Sequence, residues 1–266
     1  MSVFPEVTIP NTEVHILRSS NMEQEYKLFV SLPPGYHDSN DSYPVLYVTD
    51  ANWVFSIFAS PVFRWLPIAP MILVGIGYPT DDDDDISRLR SRDFLPTHDE
   101  KREKLIKEQS QMIIEPGKGR HFLTFIRDEL FSFINTQYRT KPDNRTLFGF
   151  SWGGTFGLYT LFNQPDTFQR YIVGAPDLSW DNQVCFSYES NYADNHADLP
   201  VKLYLAVGSL DEDLIEYNCS LLVKFHAQMQ SRNYQGLDMK FDLFEGETHI
   251  SAIAPTASRG LRAVFD

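Results

Sequence analysis

Two cysteines in 266 residues, Cys185 and Cys219, are too few for a disulfide framework. Nothing else points to an oxidising compartment, so two free buried thiols are the expected state. No apolar run approaches the roughly 20 residues needed to span a bilayer. Met1 to Thr12 has neither a basic n-region nor an apolar h-region, so no secretory signal is expected, and for a complete chain the expected location is the cytoplasm. Positive charge is scarce as well: 23 Lys and Arg stand against 36 Asp and Glu, a formal net charge of −13. That deficit disfavours nucleic acid and anionic membranes as partners. It also opposes strongly anionic substrates, unless a local arginine cluster overrides the global field. No internal repeat and no composition break marks a second domain. What the chain does have is a hydrophobic fraction of 42% and an aromatic fraction of 14%, which is enough for a sizeable core. Its length suits one large α/β domain over residues 1–266.

Hydrophobic patterning gives the layout. Glu13 to Ser20 and Glu25 to Leu32 read as two strands around a polar turn, the second alternating Tyr26, Leu28, Val30 and Leu32 with other side chains. Pro33-Pro34-Gly35 ends it. Pro44 to Val48, Met71 to Gly77, Tyr171 to Ala175 and Val201 to Val207 are short apolar runs, as expected of strands buried on both faces. Met239 to Phe244 reads as the last strand. Between them, Trp53 to Phe58 starts helical, Phe122 to Tyr138 carries an aromatic stripe at helical spacing, and Leu214 to Arg232 reads as a further helix. Buried strands alternating with helices predict a mostly parallel sheet covered on both faces. The acidic run Asp81 to Asp85 is expected to be a solvated loop, the alternative being a calcium site that lacks the Gly and terminal Glu of an EF-hand. Residues 81–120 are polar, charged and weakly patterned, with Arg88, Arg90 and Arg92 alternating. So long an insertion suggests a lid or a substrate-facing loop.

The chemistry is concentrated in Gly149-Phe150-Ser151-Trp152-Gly153. An apolar strand (Leu147 to Phe150) enters this Gly-x-Ser-x-Gly pattern and a glycine-softened helical run leaves it, which is the context of a nucleophile elbow. The bland alternative is a Gly/Ser-rich turn without chemistry. A serine needs a base. Of seven histidines, His249 alone follows the last strand in a loop over the carboxyl ends of the sheet, the same side as the Ser151 turn. His98, in the insertion, is the reserve. The acid that orients the imidazole is expected between them in sequence. Asp211 is the first choice, Glu212 and Asp213 are its neighbours, and Asp177 is a further alternative. Oxyanion donors are expected from the backbone N–H groups of Trp152 and Asn52. A pocket wall is expected from Trp53, Trp180 and Arg92, with Trp152 beside them; such aromatics can equally be core.

The motifs together resemble the putative-esterase (esterase D-like) branch of the α/β-hydrolases, and within it the siderophore esterases of the salmochelin/enterobactin type. The resemblance is carried by Leu32-Pro33-Pro34-Gly35-Tyr36, Tyr43 to Asp50, Arg92-Asp93-Phe94-Leu95-Pro96, Gly119 to Leu130 and Tyr138-Arg139-Thr140. The nucleophile turn, Val207 to Asp211 and Gly246 to Ser251 complete it. It implies an α/β-hydrolase fold, a Ser–His mechanism and an oxyanion donor at Asn52. Departures are Asp50-Ala51 where the family usually has Asp-Gly, Trp152 after the nucleophile, and Asp211 where Glu is frequent. The expected activity is cleavage of a carboxylic ester or lactone through an acyl-enzyme on Ser151. The alternatives are acyl transfer to an alcohol or amine, and a hydrolase-like protein that binds without turnover. A small-molecule ester is the expected partner, with no metal and no organic cofactor, and the sequence is compatible with a homo-oligomer.

Overall fold

A computed structural model describes residues 8–211 and 218–266. Eight strands form one sheet: β1 (Thr12–Ser19), β2 (Gln24–Ser31), β3 (Tyr43–Val48), β4 (Ile72–Gly77), β5 (Thr140–Phe150), β6 (Arg170–Gly174), β7 (Lys202–Gly208) and β8 (Asp238–Phe244). Their spatial order is β1-β2-β4-β3-β5-β6-β7-β8. β2 runs antiparallel to β1 and β4, and β3 to β8 are mutually parallel. Helices alternate with the parallel strands: α1 (Ala51–Ala59), α2 (Asp83–Phe94), α3 (Glu100–Ser110), α4 (Gly119–Thr124) and α5 (Phe131–Gln137), then α6 (Trp152–Asn163), α7 (Trp180–Ala193), α8 (Asn218–Arg232) and α9 (Ile253–Phe265). This is the mostly parallel arrangement that the apolar runs predict, and it agrees with the α/β-hydrolase fold that the resemblance implies.

The central strands follow from those runs. β3 and β4 are buried along their whole length, as continuous apolar strands must be when helices cover both faces. Helix α6 is buried from Trp152 to Phe162 and packs on β5 and β6. The expected aromatic helix spans α4 and α5 with a π-helical turn, Phe125–Leu130, between them. Its stripe is core: Phe122, Phe125 and Ile126 are inaccessible to solvent. The start of the expected Leu214 helix lies outside the described residues, and α8 continues to Arg232.

Helices α2, α3, α7 and α9 depart from the sequence reading. The Asp81 to Asp85 run is no loop: Asp82 caps α2, its carboxylate accepting from Asp85 N–H at 2.9 Å, and Asp83, Asp84 and Asp85 fill the first turn. Acidic side chains favour that end of a helix because they meet its unsatisfied N–H groups. The C-terminal helix α9 buries one face at helical spacing, through Thr256, Ala257, Gly260, Leu261 and Val264. The cysteines form no disulfide; Cys185 is buried but Cys219 only partly so.

Candidate active site

All six parallel strands end at one edge of the sheet, and the turns after β3, β5, β7 and β8 meet there. β5 ends at Phe150, and α6 starts at Trp152. Ser151 alone makes the reversal, at φ 57° and ψ −126°. A non-glycine residue held there stores strain of about 1–3 kcal/mol, which only a well-determined turn can sustain. Ser151 N–H donates to Gly174 O at 2.9 Å and Ser151 O accepts from Thr155 N–H at 3.0 Å. The close approach of strand and helix dictates glycine at 149, since a Cβ there would lie 2.1 Å from Gly153 O. Among the described residues, Ser151 Oγ has no hydrogen-bond partner within the protein.

The turns after β7 and β8 are tied to each other. Ser209 N–H donates to Phe244 O, Leu210 N–H to Glu247 O, and Gly246 N–H to Ser209 Oγ. Gly208 permits this contact: a Cβ on it would sit 2.2 Å from Glu247 O. The result brings His249 and Asp211 together although 38 positions separate them. His249 Nδ1 lies 2.9 and 3.0 Å from the two Asp211 oxygens. A carboxylate only accepts, so the proton resides on Nδ1 and Nε2 presents its lone pair. Asp211 is fully buried and also accepts from Asn218 Nδ2 at 3.0 Å. The His249 ring packs edge-on against Phe150, centroids 5.1 Å apart, which places the imidazole beside the residue that precedes Ser151. Of the other acids considered, Glu212 and Asp213 lie outside the described residues. Asp177 is engaged elsewhere, accepting from Arg102 at 3.3 Å and from Ser179. His98 pairs with Glu103 in the insertion.

Two helix N-termini face this edge. β3 and β5 are neighbours, with Val48 paired to Phe148, so α1 and α6 begin side by side. The first N–H groups of a helix have no intrahelical acceptor. Among the described residues, none accepts from the N–H of Asn52 or Trp152, whereas Trp53 and Val54 N–H donate to Asp50 O. The Asn52 side chain ties down the turn after β4, donating to Tyr78 O and Thr80 O and accepting from Tyr78 N–H at 2.8 Å.

The expected wall residues separate. Trp53 is 41% exposed, its indole N–H on Asp83 at 2.8 Å. Trp180 is core, not wall: it is fully buried and donates to Thr97 O. Arg92 turns inward, its Nε 2.8 Å from one oxygen of Asp93, whose other oxygen accepts from the hydroxyls of Tyr26 and Tyr78. Burial pushes the Asp93 carboxyl above the usual range, against the pull of Arg92 and the two phenols. Residues i and i+2 of a helix face different ways, so it is Arg90 that reaches the turn after β3, pairing with Asp50. The alternating arginines gave no means of choosing between the two. A cavity of about 270 Å³, lined in part by Pro33, Pro34, Phe58, Phe63 and Met71, opens at the opposite edge of the sheet, remote from Ser151.

Residues 19–252 match the Putative esterase family. The chain is 31% identical to Ferri-bacillibactin esterase BesA of Bacillus subtilis, over 96% of this chain and 90% of that protein. It is 24% identical to a siderophore triacetylfusarinine C esterase of Aspergillus fumigatus, over 98% and 95% respectively. Among solved structures, the BES protein of Bacillus cereus superposes with a TM-score of 0.83 at 27% identity, covering 100% of this chain and 99% of that one. A family match across most of the sequence, with near end-to-end alignment to a named esterase, establishes that this chain belongs to the Putative esterase family and is a carboxylic ester hydrolase.

Proposed function

We propose that the chain hydrolyses ester bonds of a siderophore by an acyl-enzyme mechanism, with Ser151 as nucleophile and His249 as base. The observation that carries this reading is the His249–Asp211 pair packed against Phe150, next to a serine strained into an elbow. His249 Nε2 removes the Ser151 proton as Oγ attacks the ester carbonyl. Asp211 keeps the proton on Nδ1 and stabilises the imidazolium. The N–H groups of Asn52 and Trp152 receive the oxyanion, each worth on the order of 10²–10³ in rate. His249 then protonates the departing alcohol, and water, activated by the same nitrogen, releases the acyl group. An apo hydroxyl without a hydrogen bond is compatible with this sequence of steps, since such bonds tighten on substrate binding.

Substrate class rests on the relatives: two proteins aligned over nearly their whole length are named as siderophore esterases. Residues 81–120 and the half-exposed Trp53 supply the substrate-facing cover in this reading. The test is hydrolysis of a short p-nitrophenyl ester and of a ferric siderophore ester by the wild type, Ser151→Ala and His249→Ala. Both variants should lose roughly 10⁴–10⁶ in kcat with unchanged circular dichroism. Equal release by all three would remove the mechanism. Turnover of simple esters without any of the siderophore panel would remove the substrate class.

A further inference from the structure

Arg90 projects from α2 onto the turn that starts α1. Its Nε and one terminal nitrogen bond both oxygens of Asp50, at 2.6 and 2.9 Å. Little of either side chain is accessible, 11% for Arg90 and 7% for Asp50. The same guanidinium lies 4.9 Å from the ring centroid of Trp152 and 5.5 Å from that of Trp53. One cation thus grips both residues that flank the free N–H groups: Asp50, two positions before Asn52, and Trp152 itself.

Asp50 needs holding. It sits at φ 57° and ψ 33°, left-handed backbone, immediately before a helix. Asp in that region is usually stabilised by a local side-chain hydrogen bond, as at a helix cap. Here the carboxylate makes no cap bond to α1 and is committed to Arg90 instead. The guanidinium is the right shape for both duties, because its planar fork matches a carboxylate while its face stacks on indole.

We propose that Arg90 is a positioning residue for ester hydrolysis: it clamps the Asp50 turn against Trp152 and so fixes the separation of the Asn52 and Trp152 N–H groups. It touches no reacting atom. The inference rests on the serine-esterase reading above and adds the requirement that the insertion be docked for the oxyanion donors to be aligned. Misplacement of such groups by an ångström can cost about 10²-fold.

The experiment measures kcat and KM for a short neutral p-nitrophenyl ester with Arg90→Met, Arg90→Lys and Asp50→Asn in the full chain, with Ser151→Ala as reference. Inhibition by an arylboronic acid, whose tetrahedral serine adduct mimics the oxyanion, is measured in parallel. Arg90→Met should lower kcat by about 10- to 100-fold with KM within threefold, and weaken boronate inhibition by a similar factor. Arg90→Lys should recover only part of the loss, since an ammonium cannot hold both oxygens and stack. Guanidinium at millimolar concentration should rescue Arg90→Met and leave Ser151→Ala inert. Unchanged kcat in Arg90→Met beside an inactive Ser151→Ala would overturn the inference and leave the mechanism standing. A rise in KM alone would overturn it too, since Arg90 would then bind substrate. Turnover independent of Ser151 would remove both. Should Arg90→Met fail to fold, Asp50→Asn keeps the shape of the turn, and its kcat decides alone.

Discussion

Asp211 is buried behind the imidazole it orients. Both oxygens face His249 Nδ1, Asn218 donates to one of them, and none of the side chain is exposed. On the proposed mechanism its work is to fix one tautomer, so an amide in its place would offer the imidazole an N–H instead of an acceptor. Asp211→Asn should therefore cost kcat up to about 10⁴-fold with KM little changed, the size associated with a misassigned tautomer. Steady-state kinetics on a neutral ester checks it; a loss below tenfold would mean that Ser151 and His249 suffice as a pair. At this scale the sequence went far. Order along the chain picked Asp211 and His249, because strand ends and the Ser–acid–His order restrict the choice. Asn218 carried no signal, being one polar residue in a helix. Arg92 was preferred where Arg90 reaches the turn, since helix phase within a polar insertion cannot be read from apolar spacing.

Elements depend on buried carboxylates that reach across them. Glu189 on α7 has no exposed side-chain surface and binds Arg232 through two contacts of 2.9 Å, Tyr234 at 2.8 Å, and Gln228. This ties α7 to α8 and to the segment that leads to β8. Burial raises the Glu189 carboxyl, but the bonds from Arg232, Gln228 and Tyr234 outweigh it and hold the group below the ordinary carboxylate range. The folded-state value is thus lower than the unfolded one, near 4.3. Its stabilisation is complete above that pH and is lost as pH falls through the folded value. Glu189→Gln should lower stability by roughly 2 kcal/mol at pH 7, a figure already reduced because Arg232 is about a third exposed. Denaturant titrations of both proteins from pH 7 to pH 3 should show the gap closing toward acid; a constant gap would contradict the assignment. The insertion is likewise fastened by charge. Arg102 on α3 pairs with Asp177, and Asp99 accepts from Asp181 N–H. α3 buries none of its own residues, so apolar periodicity had nothing to report and the helix is absent from the sequence reading.

Across the whole molecule, charge is distributed unevenly. The described segments around the candidate active-site edge are residue 50 and residues 78–120, 175–183, 209–211 and 245–252. They hold seventeen Asp and Glu against nine Lys and Arg. Arg88, Arg90, Arg92 and Arg102 are each committed to an internal carboxylate. The field at this edge therefore opposes polyanionic substrates, and a neutral ester meets no such barrier. For a polyanionic ester, kcat/KM should rise several-fold between about 10 and 200 mM salt, as the screening length falls from roughly 30 Å to under 10 Å. For a neutral ester it should stay flat. A fall with salt for the anionic ester would indicate a cationic subsite and refute the argument. No helix among the described residues is long and apolar enough to cross a membrane.

Sequence by itself determined the parallel sheet, the elbow and the order of Ser151, Asp211 and His249 along the chain. Apolar runs, glycines at points of contact and strand-end placement are local properties, and each leaves a mark on neighbouring residues. Tertiary structure alone decided which arginine meets Asp50, which tryptophan is core, and that Asn218 supports Asp211. Those choices depend on helix phase and on contacts between segments tens of residues apart, where one polar side chain looks like another until the chain has folded.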